Sequence, residues 1–153
     1  MEVRFRVRAI ERADERQWRE LFDAYNAFYG RTGPSALAGE VVRTTWERFF
    51  DDGEPVNALV AEADGRLLGI AHYLFHRSTS HIARMCYLQD LYTREEARGG
   101  GVGRALLEAV YERARAAGSP RVYWQTHETN ARARRLYDQV AERSGFIVYR
   151  KSL

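Results

Sequence analysis

The residues best suited to chemistry form one run, Arg98-Gly-Gly-Gly-Val-Gly-Arg104, set between an apolar segment and an amphipathic one. Three successive glycines and a fourth two residues later leave bare backbone amides with few steric limits. The run opens a helix, where the first N–H groups lack intrahelical partners and the helix dipole is positive. Arg98 and Arg104 add full charges. The combination suits a phosphate or pyrophosphate, with each dipole contribution worth roughly 0.3–1 kcal/mol on an exposed surface. No Gly-Lys-Ser/Thr follows, so this is not a Walker loop. Gly101-x-Gly103 is followed by Leu106 where a dinucleotide fingerprint needs glycine. Taken alone, the same residues also read as an ordinary turn closing a strand–helix unit.

Other reactive side chains make weaker patterns. His72 and His76 lie four apart in a segment read as strand, which separates them by about 13 Å and precludes a shared metal. Cys86 has no cysteine or histidine at zinc-finger spacing. No metal is expected.

The elements that must position the loop follow from periodicity. Val102, Ala105, Leu106, Ala109 and Val110 mark one helical face, and Gly118-Ser-Pro120 stops that helix. Residues 3–9 alternate, with Val3, Phe5, Val7 and Ala9 on one face and Arg4, Arg6 and Arg8 on the other, as in a half-buried strand near a sheet edge. Asp14 with Gln17 predicts a capping box. The helix that follows carries Trp18, Leu21, Phe22, Tyr25, Phe28 and Tyr29 and ends at Gly30. Its stripe reads as core, with the Tyr25–Tyr29 end placed to line a cleft. A second helix uses Val42, Thr45, Trp46, Phe49 and Phe50. Strands 57–63 and 66–75 flank Asp64-Gly65, a strong hairpin signal. A third, 82–92, leads into the glycine loop. Strand 121–126, helix 131–143 and strand 146–150 complete the order β-α-α-β-β-β-α-β-α-β. An α/β (α+β) fold is predicted, with a mixed sheet, helices on both faces and parallel pairing where the long helix connects two strands.

At 153 residues, with 45% hydrophobic and 29% charged residues, the chain reads as one soluble domain spanning 1–153. No stretch approaches a membrane span. MEVRFRVRAI does not read as a signal peptide. The single cysteine fits a reducing cytoplasm. A net charge of +3 is mild and spread along the chain; it demands no nucleic-acid partner. Lys151 is the only lysine.

Arg98-x-x-Gly101-x-Gly103, opening a helix after an apolar strand, resembles the coenzyme A pyrophosphate loop of the GNAT superfamily of N-acetyltransferases. A second signature agrees: Asn130-x-x-Ala-x-x-Leu136-Tyr137, followed by Gly145-Phe146. The element order is similar from end to end. The resemblance implies the GNAT fold, mostly antiparallel, with acetyl-CoA as cofactor. It implies a cofactor site of Leu91, Tyr92, Thr93, Arg98, Gly99, Gly101, Val102, Gly103, Arg104 and Asn130. The backbone of Leu91–Thr93 would pair with pantetheine at a splayed strand end, and an amide near Leu91 would polarise the carbonyl. Tyr137 would protonate the departing thiolate, a service worth typically 10²–10⁴-fold. A homodimer is implied too, with the last strand and the first helix as contacts.

The attacking amine must lose a proton, since its free pKa is near 10.4 with lysine as the guide. Tyr-Leu-Gln-Asp-Leu-Tyr, residues 87–92, resembles the diamine and polyamine acetyltransferases, which usually have Glu where this chain has Gln89. A neutral amide accepts no proton. Asp90, beside the expected carbonyl site, is the first candidate base; Glu128 or His127 acting through water are the others. Tyr29, Gln89 and Glu128 are candidate acceptor-binding residues. His76-Arg-Ser-Thr-Ser80 and Phe28-Tyr29 are similar to the same subgroup and to bacterial histone-type relatives. The expected acceptor is a polyamine, diamine or amino-acid-like primary amine. Protein-amine or antibiotic acetylation, or a silent CoA-binding module, are the alternatives. Tyr137 argues against a silent module, which needs no acid at the sulfur.

Overall fold

A computed structural model of the chain describes residues 4–153. Its elements are β1 (Arg6–Ala9), α1 (Glu15–Phe28), α2 (Gly39–Arg48), β2 (Val56–Ala63), β3 (Arg66–His76), β4 (Met85–Thr93), α3 (Val102–Ala116), β5 (Val122–Tyr123) and α4 (Ala131–Val140), with short 3₁₀ turns between some of them. The strands form one sheet in the order β1-β2-β3-β4-β5. The first three pairings are antiparallel, and β4–β5, joined through α3, is parallel. This is the mixed sheet expected from the alternation of patterns, with β1 at an edge. Val3 lies outside the described residues.

Each face of the sheet carries a core. On one, Trp18, Leu21, Phe22 and Tyr25 of α1 and Trp46 of α2 pack over Ala58, Val60, Leu67 and Ile70. On the other, Leu106, Leu107 and Val110 of α3 cover Leu59, Ala71, Cys86 and Leu88. Helices thus cover both faces. The β2–β3 hairpin turns at Asp64 and Gly65, both with positive φ, as a two-residue loop requires.

Two bulges interrupt the alternation. In β3, Ala61 pairs with Gly69 and Glu62 with Leu67, so Leu68 is the extra residue. In β4, Tyr73 pairs with Leu88 and His72 with Asp90, so Gln89 is extra. Cys86 and Leu88 face α3, and strict alternation would send Asp90 to that face as well. The bulge instead brings Asp90 opposite His72 and returns Leu91 to the α3 side.

Four sequence expectations are corrected. Asp14 does not cap α1. Its carboxylate accepts from the Glu11 N–H at 2.8 Å and takes both terminal nitrogens of Arg8, at 2.7 and 2.9 Å. A bidentate, charge-assisted pair outcompetes a cap. Burial alone would raise the Asp14 pKa, but the Arg8 and Glu11 bonds outweigh it and leave the carboxyl below its usual value. Gln17 reaches instead to the hairpin, donating to the Gly65 carbonyl and accepting from the Leu67 N–H, each at 2.9 Å. Second, β5 is two residues long where six were expected, because the chain leaves β4 after Tyr123 and Trp124 turns to pack on Tyr137, ring centroids 5.3 Å apart. Third, α4 stops at Val140, not 143. The Ala141 N–H closes the last turn on Tyr137, and the Tyr111 hydroxyl occupies the Val140 carbonyl. Fourth, residues 146–150 form no strand. So short a β5 offers them no ladder, and Phe146 and Tyr149 stand 90% and 87% exposed.

Gly69 sets how closely α3 approaches the sheet. A Cβ there would meet the Tyr92 carbonyl at 2.9 Å and Leu106 and Val102 at 3.0 Å. Gly69→Ala should therefore destabilise the protein by about 1–3 kcal/mol, read as a lower urea midpoint at unchanged slope. An unchanged midpoint would mean that α3 has room to move.

Candidate active site

β4 and β5 are paired only at Cys86–Val122 and Tyr87–Tyr123. Beyond that point they part, and the β4 edge from Leu88 to Thr93 faces a gap. The gap opens into a cleft of about 410 Å³, floored by Leu91, Tyr92 and Thr93. The glycine loop and the start of α3 form one wall, Asn130 and α4 another, and Tyr25, Phe28 and Tyr29 the rim. The aromatic stripe of α1 is thus core through Tyr25. It emerges at Phe28 and Tyr29, which are 60% and 42% exposed.

The loop has the geometry its composition suggested. Gly99 and Gly101 have φ of 84° and 85°, in the left-handed region, and Gly101 is the residue before α3. The first amides of α3 consequently open toward the cleft without a side-chain cap. A Cβ at Gly103 would sit 3.5 Å from Leu136, between helices that form the two walls. Arg98, Arg104 and Arg132 line the same cleft, and none pairs with a carboxylate among the described residues. Arg98 is steadied by donating to the Thr93 carbonyl at 3.2 Å and by lying over the Tyr92 ring. Arg104 is held by Gln139. Free amides at a helix start, three unpaired guanidinium groups and a slot cleared of Cβ atoms fit a pyrophosphate and an extended arm behind it.

Asn130 caps α4, accepting from the Ala133 N–H at 3.4 Å and donating to Thr126 at 3.3 Å. That cap aims the first turn of α4 at the cleft and carries Tyr137 to its wall. Burial, with a smaller push from nearby Tyr29, raises the Tyr137 phenol to about 12. It therefore stays protonated throughout the neutral range. Cys86 is buried, its thiol pushed up to about 11 by that burial, and it lies outside the cleft lining.

The remaining candidates divide. Asp90 sits midway along the open edge, its side chain 13% exposed and set behind the cleft lining that its neighbours Tyr25 and Leu91 form. One oxygen meets His72 Nδ1 at 2.8 Å. Tyr25, a cleft residue, lies against the same carboxylate; burial first, then the Asp90 charge and hydrogen bond, push its phenol far above the usual range. Gln89 occupies the bulge, is exposed and does not line the cleft. Glu128 and His127 are exposed loop residues outside the lining: Glu128 offers its carbonyl to Arg134, and His127 bonds Thr129 at 2.6 Å. Sequence reasoning missed His72, weighed there only as a metal ligand. Its one signal was a histidine inside an apolar strand, and only the β3–β4 register shows its partner.

The Acetyltransferase (GNAT) family profile matches residues 18–141, and the chain belongs to that family. It is 40% identical over 148 residues to the D-amino-acid N-acetyltransferase HPA3 of Saccharomyces cerevisiae, covering 95% of this chain and 89% of that one. It is 29% identical to an uncharacterised N-acetyltransferase, YhfO, of Bacillus subtilis over 94% of each. A crystal structure of a probable acetyltransferase superposes with a TM-score of 0.81 at 26% identity, covering 97% of both chains. AAC(6')-Iy, solved with the bisubstrate analogue CoA-S-monomethyl-acetylneamine, superposes at 0.80 over 98% of this chain and 99% of that one; at 16% identity it shares the fold. The protein is an acetyl-CoA-dependent N-acetyltransferase.

Replacing both Gly101 and Gly103 with valine should abolish acetyl-CoA binding in calorimetry while the protein stays folded by circular dichroism. Left-handed backbone costs a side-chain-bearing residue about 1–2 kcal/mol, which a core of this size tolerates. Wild-type affinity in the folded double variant would place the pyrophosphate elsewhere.

Proposed function

We propose that this enzyme acetylates the primary amine of a small molecule, with Asp90 as the base and Tyr137 as the acid. The observation that carries the reading is the placement of these two groups. Asp90 lies on the open stretch of the β4 edge, beside Leu91 and against the cleft residue Tyr25, and a protonated phenol lines the same cleft. Acetyl-CoA supplies the activated acetyl group. The glycine loop, with Arg98, Gly99, Gly101, Val102, Gly103, Arg104 and Asn130, holds the donor, and the backbone of Leu91, Tyr92 and Thr93 orients it, since positioning is a large share of direct transfer. Asp90 accepts the ammonium proton of the acceptor. Tyr137 keeps a proton at its hydroxyl for the leaving group. Tyr29 and Tyr25 shape the acceptor mouth.

Among amine classes, an amino-acid-like acceptor is favoured over a polyamine or diamine. The Arg31 guanidinium lies over Tyr25 and Tyr29, 5.7 and 5.4 Å from their centroids. Buried Asn26 anchors its Nε at 2.7 Å, and no carboxylate pairs with it among the described residues. A fixed cation beside the amine site suits a substrate that also carries a carboxylate and repels a polycation. The D-amino-acid acetyltransferase relative points the same way. No helix among the described residues is long and apolar enough to cross a membrane. We place the enzyme in the cytoplasm as a homodimer, in which the exposed apolar segment around Phe146 and Tyr149 finds cover.

Acetyl-CoA consumption should be faster with D- or L-amino acids than with spermidine, putrescine, basic peptides or aminoglycosides. Faster turnover of spermidine would overturn the amino-acid reading. Tyr137→Phe should bind acetyl-CoA normally and lower kcat at least about tenfold. Because burial pushes the phenol up to about 12, it is in its acid form from about pH 6 to 10. A descending limb in kcat between about pH 6 and 10 should therefore not vanish in Tyr137→Phe; its disappearance there would contradict the assignment.

A further inference from the structure

We propose that His72 is the positioning residue for the base: fixed as one neutral tautomer by Trp18, it holds one oxygen of Asp90 and directs the other to the acceptor amine. The inference rests on the reading of Asp90 as base and adds what orients it. Trp18 Nε1, which can only donate, lies 2.9 Å from His72 Nε2. That nitrogen must carry its lone pair, so the imidazole hydrogen is on Nδ1. Nδ1 in turn lies 2.8 Å from Asp90 Oδ2, which is bound as an acceptor.

The ring has no freedom to do otherwise. His72 is 3% exposed, with Phe22 at 5.2 Å, Phe49 at 5.0 Å and Trp18 at 6.0 Å between centroids. A flipped ring would set Nδ1 and Nε2 against carbon-rich neighbours and leave Trp18 and Asp90 unpaired. Both nitrogens are engaged, so His72 is not a relay for the proton that Asp90 collects. That proton leaves by the carboxylate's other side, past Tyr25, which lines the cleft.

Packing alone does not need this arrangement. An aliphatic residue at 72 would fill the space between α1 and β3 and would call for no indole donor at 18. The chain Trp18–His72–Asp90 runs instead from the centre of the α1 core to the open stretch of the β4 edge. It ends on the one carboxylate that the bulge at Gln89 turns to that side. A base held by His72 at one oxygen and flanked by the Tyr25 hydroxyl has a single orientation, and misplacement of about 1 Å there is felt as a large loss of rate.

Two substitutions separate this role from packing. In His72→Asn the amide nitrogen takes the place of Nδ1, so the donor to Asp90 is kept and the Trp18 end is lost. In His72→Gln the amide takes the place of Nε2, so the Trp18 end is kept and the Asp90 donor is lost. We expect His72→Gln to lower kcat at least about tenfold with the KM for acetyl-CoA unchanged, and His72→Asn to stay within about threefold of wild type. Long-range nitrogen–proton NMR of the native enzyme should show His72 protonated at Nδ1 alone. Wild-type kcat in His72→Gln, equal losses in both variants that track their melting temperatures, or a proton on Nε2 would each overturn the proposal. Asp90→Asn measured alongside separates the two failures. Full turnover in Asp90→Asn sinks the base itself, whereas a collapsed Asp90→Asn beside an active His72→Gln sinks only the positioning.

Discussion

One extra residue in β4 decides what the rest of the site can be. Without Gln89, the alternation that buries Cys86 and Leu88 against α3 would bury Asp90 there too, among aliphatic side chains and away from the cleft rim. With it, the ladder resumes out of phase. Asp90 meets His72 on the α1 side, and the next residues present their backbone to the gap left by β5. A bulge interrupts ladder pairing locally, and at this position the interruption coincides with the end of the parallel pairing. The two irregularities together convert a sheet edge into a slot.

Everything else keeps that slot open and charged. Gly69 lets α3 settle onto β3 closely enough for its first turn to reach the slot, and left-handed Gly101 turns the chain into the helix there. Asn130 fixes where α4 starts and so where Tyr137 stands. Arg98, Arg104 and Arg132 supply positive potential where the helix dipole already favours an anion. The Asp90 carboxylate and the Tyr137 phenol lie in different surroundings, one hydrogen-bonded by a buried imidazole and the other raised by burial.

Much of this was legible in the residues. The glycine loop, the amphipathic α3 and the hairpin at Asp64-Gly65 follow from local chemistry, and local chemistry shaped them. The aromatic stripe of α1 divided, as expected, into core and rim. What was not legible depends on partners distant in sequence. Asp14 and Gln17 have cap spacing, yet Arg8 and the hairpin backbone compete for them and win. Residues 146–150 are aromatic and β-branched like a strand, but a strand exists only beside another, and β5 is too short to serve. His72 looked like half of a spurious metal pair because its real partners, Trp18 and Asp90, lie 54 and 18 residues away. Gln89 drew notice as a missing carboxylate. Its structural importance is as the residue that displaces the pattern.

We infer that the unpaired edge of β4 and the glycine turn form one continuous donor slot. Backbone amide NMR during titration with coenzyme A tests it most directly, because it reports on the protein backbone without requiring an acceptor. The account predicts that the largest shifts fall together on Leu91, Tyr92 and Thr93 and on Gly99 through Arg104, at one affinity. Shifts clustered on another surface, with these amides unmoved, would contradict it.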